Sequence, residues 1–225
     1  MITFMPRSRP GRRVGDAGAP IPTVDTASTR SPRRRLLNAA KTLFARRGYE
    51  NASTSAIARA AGTSESQLMK YFGSKEGLLE AIFDASWEDI NGRVCEVLAG
   101  PSSPAAKLDA LTSIMVSALE RDPEIKLLML LEGRRVRKER DEVAISQGYR
   151  EFVRLTDSVL RQAEAAGHLR PHLQPEAVRS ALVGMVEGLM RDRVLAARCD
   201  FPAHYSSKQI RTLVQTVLAC FTASR

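Results

Sequence analysis

The sequence predicts an all-α protein of about nine helices. Three features lead there. Side chains that cap helices stand just before proline, or three residues before glutamine: Ser31-Pro32, Ser103-Pro104, Asp122-Pro123, and Ser206 with Gln209. Between these starts the apolar residues recur at helical spacing. No stretch alternates apolar and polar residues between hairpin turns.

The elements follow in chain order. Residues 1–30 are rich in Arg, Pro, Gly, Ser and Thr without an apolar period, so a disordered basic arm is expected, with Met5 as a second candidate initiator. Ser31-Pro32 opens a first helix with the stripe Leu36, Ala39, Ala40, Leu43 and Phe44, and Gly48 ends it. Ser53 caps a short helix near 54–61, Gly62 supplies a turn, and Ser64 caps the next helix, with Gln67 placed for a capping box. Gly73 stops that helix. A long one then starts at Lys75, with Leu79, Ile82, Phe83, Ser86, Trp87, Ile90, Val94, Val97 and Leu98 on one face. Gly100 and Gly167 read as stops, and Gln174-Pro175 as a weaker start. Gly92, Gly133 and Gly148 fall inside helical patterns and blur boundaries there. The last helix carries Ile210, Leu213, Val214, Val217, Leu218 and Phe221.

Composition narrows the function. The chain has 225 residues, enough for one large or two modest cores. No apolar run approaches the roughly 18–20 residues that a membrane span needs. No export signal follows the basic N-terminus, so a cytoplasmic location is expected. Cys95, Cys199 and Cys220 are far apart and form no CxxC pair, so buried reduced thiols are expected. The net charge of +9 is uneven: residues 1–35 carry +6, residues 36–80 carry +2, and residues 81–225 carry +1. A polyanion would therefore be gripped near the N-terminus. A solvated basic tail is the plainer explanation of the same charge.

Catalytic and cofactor motifs are missing from the sequence: no nucleophile elbow, phosphate loop or dinucleotide fingerprint. A non-enzyme without cofactor is expected. His168 and His172 have the spacing of a metal pair, but Gly167 and Pro171 put them in a loop without a shared face, so no metal is expected.

Residues 31–80 carry the functional signal. Two short capped helices joined at Gly62 have the layout of a helix-turn-helix. Ile57 and Ala61 face inward, and Ala58 is small where the helices cross. Leu68 and Phe72 pack the second helix down, leaving Glu65, Ser66, Gln67, Lys70 and Tyr71 near its exposed face. Such a helix fits a DNA major groove, where Gln67 is the best base-reading candidate because its amide can pair bidentately with adenine. Lys70, Tyr71, Ser53 and Thr54 suit phosphates, as does Lys75 at the start of the following helix. Arg33, Arg34 and Arg35 crowd the first turn of a helix. Positive charge is unfavourable there by a few tenths of a kcal/mol each, roughly, and a phosphate would relieve it.

Here the chain resembles a known family. AAKTLFARRGY at 39–49, IARAAGTS at 57–64 and LMKYFGSKEGLL at 68–79 are similar to the DNA-binding domain of the tetracycline-repressor (TetR) family of bacterial transcription regulators. The resemblance covers residues 36–79. Three positions depart from it. Thr63 stands where an aliphatic residue is usual, Glu65 where Lys or Arg is frequent, and Met69 where Tyr is usual. Glu65 either faces a cytosine amino group or points away. The resemblance implies contacts to a double-stranded operator from Arg34, Ser53, Thr54, Thr63, Ser64, Glu65, Ser66, Gln67, Lys70, Tyr71 and Lys75.

It also implies three parts: the arm 1–30, a reader domain 31–80, and a helical ligand-binding and dimerisation domain 81–225. Ala177, Ala181, Gly184 and Gly188 set small residues along one helix. Two mid-helix glycines cost about 1 kcal/mol each relative to alanine, and close helix approach is a reason to keep them. Helices near 175–198 and 206–223 are thus expected to form a four-helix homodimer interface. Burial against the chain's own core is the alternative. An unknown small-molecule effector would sit in the body. Phe83, Trp87, Met115, Met129, Phe152 and Met185 are candidate lining, though apolar residues at helical spacing are ordinarily core. The run Arg134, Arg135, Arg137, Lys138 and Arg140 suits an anion, but interleaved acids make it read as a solvated face. The resulting expectation is a homodimeric repressor on a palindromic operator, released by the effector. The rival classes are a general nucleoid-type DNA binder and a helical enzyme or ligand-binding protein with a vestigial reader.

Overall fold

Local capping chemistry sets the helix boundaries. A computed structural model describes residues 31–129, 136–137, 142–143 and 145–222. The arm 1–30, and most of the charge run from 132 to 142, lie outside the described residues. Nine α-helices are found among those described: α1 (Pro32–Arg47), α2 (Thr54–Ala60), α3 (Glu65–Phe72), α4 (Lys75–Ala99), α5 (Pro104–Arg121), α6 (Pro123–Met129), α7 (Gln147–Ala165), α8 (Pro175–Ala196) and α9 (Ser207–Phe221). The side chains of Ser31, Ser53, Ser64, Ser74, Ser103, Ser146 and Ser206 each accept a backbone N–H in the first turn of the helix that follows. Each such cap stabilises its helix by about 1 kcal/mol.

Most expected starts are found. Pro32, Pro104, Pro123 and Pro175 are first residues of helices, and Ser206 with Gln209 forms a complete capping box. Gln174 makes no side-chain cap. The caps at Ser74 and Ser146 were not foreseen. Beside the helices stands a two-residue antiparallel ladder of β1 (Val136–Arg137) with β2 (Glu142–Val143). It is too short to show a period in sequence.

α4 is the spine of residues 31–225, which form one compact unit. It packs most extensively on α7 and also meets α5, α1 and α3. Trp87, Ile90 and Val94 of α4 are almost fully buried, as are Val159 and Leu160 of α7. A buried apolar side chain of this size contributes about 1.5–3 kcal/mol. Gly148 makes the approach of α7 possible, because a Cβ there would lie 2.3 Å from Trp87 Cβ. The apolar core runs without a break from Leu36, Phe44 and Leu68 to Val214 and Leu218. The boundary expected at residues 80 and 81 falls inside α4.

The three cysteines also need correcting. Cys95, Cys199 and Cys220 are free thiols on the surface, not in the core. Cys95 follows the buried Val94 and turns to the other side of α4, while Cys199 lies beyond the end of α8.

Candidate nucleic-acid interface

The unit α2–turn–α3 is built around a buried Ile57, Ala58, Ala61 and Leu68. Gly62 takes φ 61° at the turn, a conformation that favours glycine. The Thr63 N–H then reaches back to the Ala58 carbonyl at 3.0 Å. A clamp that the sequence did not reveal comes from α1. Arg35 donates through Nε to the Ala61 carbonyl at 3.0 Å and through Nη2 to the Gly62 carbonyl at 3.4 Å. These carbonyls form the negative end of α2, where a guanidinium is favourable.

This changes the reading of the three arginines in the first turn of α1. Arg33 lies over the Phe72 ring, 5.4 Å from its centroid. With Arg35 on the α2 carbonyls, two of the three are engaged inside the protein. The exposed Arg34 side chain has neither an ion pair nor a ring contact among the described residues.

On α3 the described geometry separates two faces. Leu68 is fully buried and Phe72 is half-buried. Glu65, Ser66, Gln67, Met69, Lys70 and Tyr71 are exposed, Met69 and Tyr71 by 45% and 42%. Two contacts restrain this face. The Thr54 hydroxyl donates to Glu65, joining α2 to α3. The Thr63 hydroxyl donates to the Gln67 side-chain oxygen. Ser64 accepts the Gln67 N–H at 3.2 Å, so only half of the expected capping box forms. The other half is lost because Thr63, not the Ser64 backbone, takes the Gln67 side chain. Glu65 is exposed while accepting the Thr54 hydroxyl.

Lys75 is the first residue of α4. Its ammonium donates to the Glu50 carbonyl at 3.1 Å and sits 4.4 Å from the centroid of the Tyr49 ring. The serine-capped starts of α2, α3 and α4 are at Ser53, Ser64 and Ser74. Residues 31–80 hold nine basic and four acidic residues. α3 spans eight residues, or about 12 Å, and a DNA major groove is about 12 Å wide.

In the body, Phe83, Trp87, Met115, Met129 and Phe152 are buried and Met185 is half-buried. The Trp87 ring packs 5.2 Å from Tyr149 and 5.0 Å from Phe152. Ala177, Ala181 and Gly184 are exposed on α8, and a Cβ at Gly184 or Gly188 would meet nothing within 4 Å. The packing of the chain's own helices therefore does not account for these glycines. Leu213 of α9 is 44% exposed despite lying on an apolar stripe. His168 and His172 are in the connection between α7 and α8, as their neighbours suggested, and His172 takes φ 72°.

A two-helix unit with a serine-capped, outward-facing second helix in a basic setting is a helix-turn-helix DNA-binding domain. Over residues 36–82 the chain matches the family model for bacterial regulatory proteins of the tetR family. It is 34% identical over 101 residues to the HTH-type transcriptional repressor KstR2 of Rhodococcus jostii (strain RHA1), across 45% of this chain and 50% of that one. It is 23% identical over 166 residues to the nucleoid occlusion factor SlmA of Marinomonas sp. (strain MWYL1), across 74% of this chain and 84% of that one. The crystal structure of the transcriptional regulator FadR from Bacillus subtilis in complex with stearoyl-CoA superimposes with a TM-score of 0.72 at 21% identity. The superposition covers 83% of this chain and 97% of that one, and the likeness is one of fold.

Proposed function

We propose that this DNA-binding transcriptional regulator is a homodimeric repressor that holds a palindromic operator and releases it when a small molecule binds. The observation that carries the reading is α3: an exposed face of Ser66, Gln67, Lys70 and Tyr71 on a helix that Thr54 joins to α2, after a turn whose carbonyls Arg35 holds. A reader of fixed shape places side chains at base edges with little ordering cost. Gln67 reads a base, while Ser66, Thr63 and Glu65 tune the choice. Arg34, Ser53, Thr54, Ser64, Lys70, Tyr71 and Lys75 hold phosphates or fix the register.

Residues 31–80 act as reader and 81–225 as body. α8 and α9 of two chains meet through the open ridge of Ala177, Ala181 and Gly184 and through Leu213. Pairing places two readers on half-sites about 34 Å apart. The effector acts as a population shift, binding more tightly to the dimer whose readers do not fit the operator. Such a protein works in the cytoplasm and needs neither cofactor nor catalysis.

A second reading, a general DNA organiser, is favoured by the similarity to a protein named as a nucleoid occlusion factor. Selection from random duplex DNA by the full chain at near-physiological salt separates the two. Recovery of a palindrome with half-sites about one turn apart supports the repressor. Recovery of bound DNA with no shared motif supports the organiser and overturns the repressor.

A further inference from the structure

A cavity of about 460 Å³ lies between α1 and the helices α4, α5 and α6. We infer that it is a binding site for an apolar-tailed monoanion, and that an occupant there loosens the reader from the body. The first half of this stands on the cavity alone. The second rests on the reading of the chain as a DNA-binding regulator.

The walls are of two kinds. Leu37, Ile82, Ile90, Ala118 and Ile125 supply apolar surface from four helices. The polar part of the lining holds three cations, Arg34, Lys41 and Arg121, against two acids, Asp89 and Asp122. Two pairs form: Lys41 to Asp122 at 2.6 Å, and the well-exposed Arg121 to Asp89 at 3.4 Å. Arg34 has no ion pair among the described residues. One positive charge is thus unbalanced beside an apolar chamber. A cationic amphiphile would meet three like charges. A neutral one would gain burial only. An anion with an apolar tail gains both burial and charge pairing.

The position gives such a ligand a mechanical effect. Lys41 belongs to α1, and Asp122 stands at the start of α6. The ligand's anionic head competes with Asp122 for Lys41 and so weakens a tie between reader and body. Coupling arises only if the ligand prefers the state with that tie open, and by linkage DNA then disfavours the ligand equally.

Decanoate is the probe, with decanol and decylammonium as neutral and cationic counterparts, titrated calorimetrically into the full-length protein. Saturable decanoate binding is expected, at least about tenfold tighter than the other two, a typical allosteric-scale preference. Ala118→Phe, which fills the chamber, and Arg121→Gln, which removes a cation, should each weaken it by about tenfold or more. Both variants should keep their cooperative melting. Decanoate should also lower the affinity of wild type, but not of Ala118→Phe, for the duplex recovered by selection. Equal binding of all three amphiphiles, no decanoate binding, or binding that survives both substitutions would overturn the site. Site-specific binding without any change in DNA affinity would overturn the coupling. Failure to bind any DNA, with the calorimetric pattern intact, would remove the regulator reading and leave the site standing.

Discussion

The Asp122 carboxylate is shared with Lys41 across two helices. One oxygen takes the Lys41 ammonium of α1 at 2.6 Å, while the other caps α6 by accepting the N–H groups of Glu124 and Ile125 at 3.1 and 3.0 Å. Thr42, next along α1, donates to Glu124 at 3.0 Å. Arg198, just past α8, donates to the Ala45 carbonyl at 3.3 Å. The reader is therefore tied to the body by polar contacts as well as by the shared core.

Asp122 makes stability depend on acid. Burial pushes its carboxyl upward, but the Lys41 hydrogen bond, the two backbone N–H groups and the Lys41 charge outweigh this and hold the pKa below the ordinary carboxylate value. A carboxyl lowered in the folded state stabilises at pH values above its unfolded pKa, and the stabilisation fades as pH falls through the folded value. Asp122→Ala loses both cap and ion pair and should cost about 1–2 kcal/mol near neutral pH. The gap from wild type should shrink as pH falls below the ordinary carboxylate range. Urea melts of both proteins across this range test it, and a gap constant with pH would refute the assignment.

Lys75 and Gln67 should separate affinity from specificity. With Lys75 in its proposed phosphate-binding role, Lys75→Ala should weaken binding to all duplexes alike, lowering the salt slope by about 1. Gln67→Ala should change base preference at one position of each half-site, by about 1–3 kcal/mol. Because the Thr63 hydroxyl holds the Gln67 side chain, Thr63→Val should free that amide and broaden the preference. Binding titrations at several salt concentrations, with repeated selection, read all three. Wild-type behaviour in every variant would refute the reader.

Gly148 should tolerate no side chain. Alanine there drives a methyl to 2.3 Å from Trp87 Cβ, on the rigid stem of a buried ring. Overpacking of this kind costs about 1–3 kcal/mol. The melting temperature should fall, and the emission of Trp87, the sole tryptophan, should shift. An unchanged melting temperature would mean that α7 does not lie so close to α4.

Leu213→Asp should break the proposed dimer and spare the fold. The side chain is 44% exposed in the single chain, so the monomer loses little. Sedimentation should show a monomer with a retained melting transition and weakened operator binding. A dimer that persists would place the interface elsewhere.

The helical plan was legible because its signals are local. Ser53, Gly62 and Ser64 act on the backbone within a few residues of themselves, and Leu68 lies on an apolar period that only a helix would make continuous. The candidate reader was legible for the same reason, since its exposed face is what remains after Leu68 and Phe72 are turned inward. The errors and omissions came from longer range. Arg35 and Ala61 are 26 residues apart, and Lys41 and Asp122 are 81 apart. Nothing in the local pattern announces either pair. Arg33 and Arg35 therefore read as unsatisfied charges until Phe72 and the end of α2 were brought beside them. The cysteines failed similarly, because burial depends on which face a neighbouring helix covers.

The sequence by itself determined where helices start and stop and which face of each is apolar, because capping, glycine turns and helical periodicity are short-range effects. The tertiary structure decided which charges are spent inside the protein, where a cavity remains between α1 and α4–α6, and that the ridge on α8 stays open. Those outcomes depend on side chains far apart in sequence meeting across packed helices.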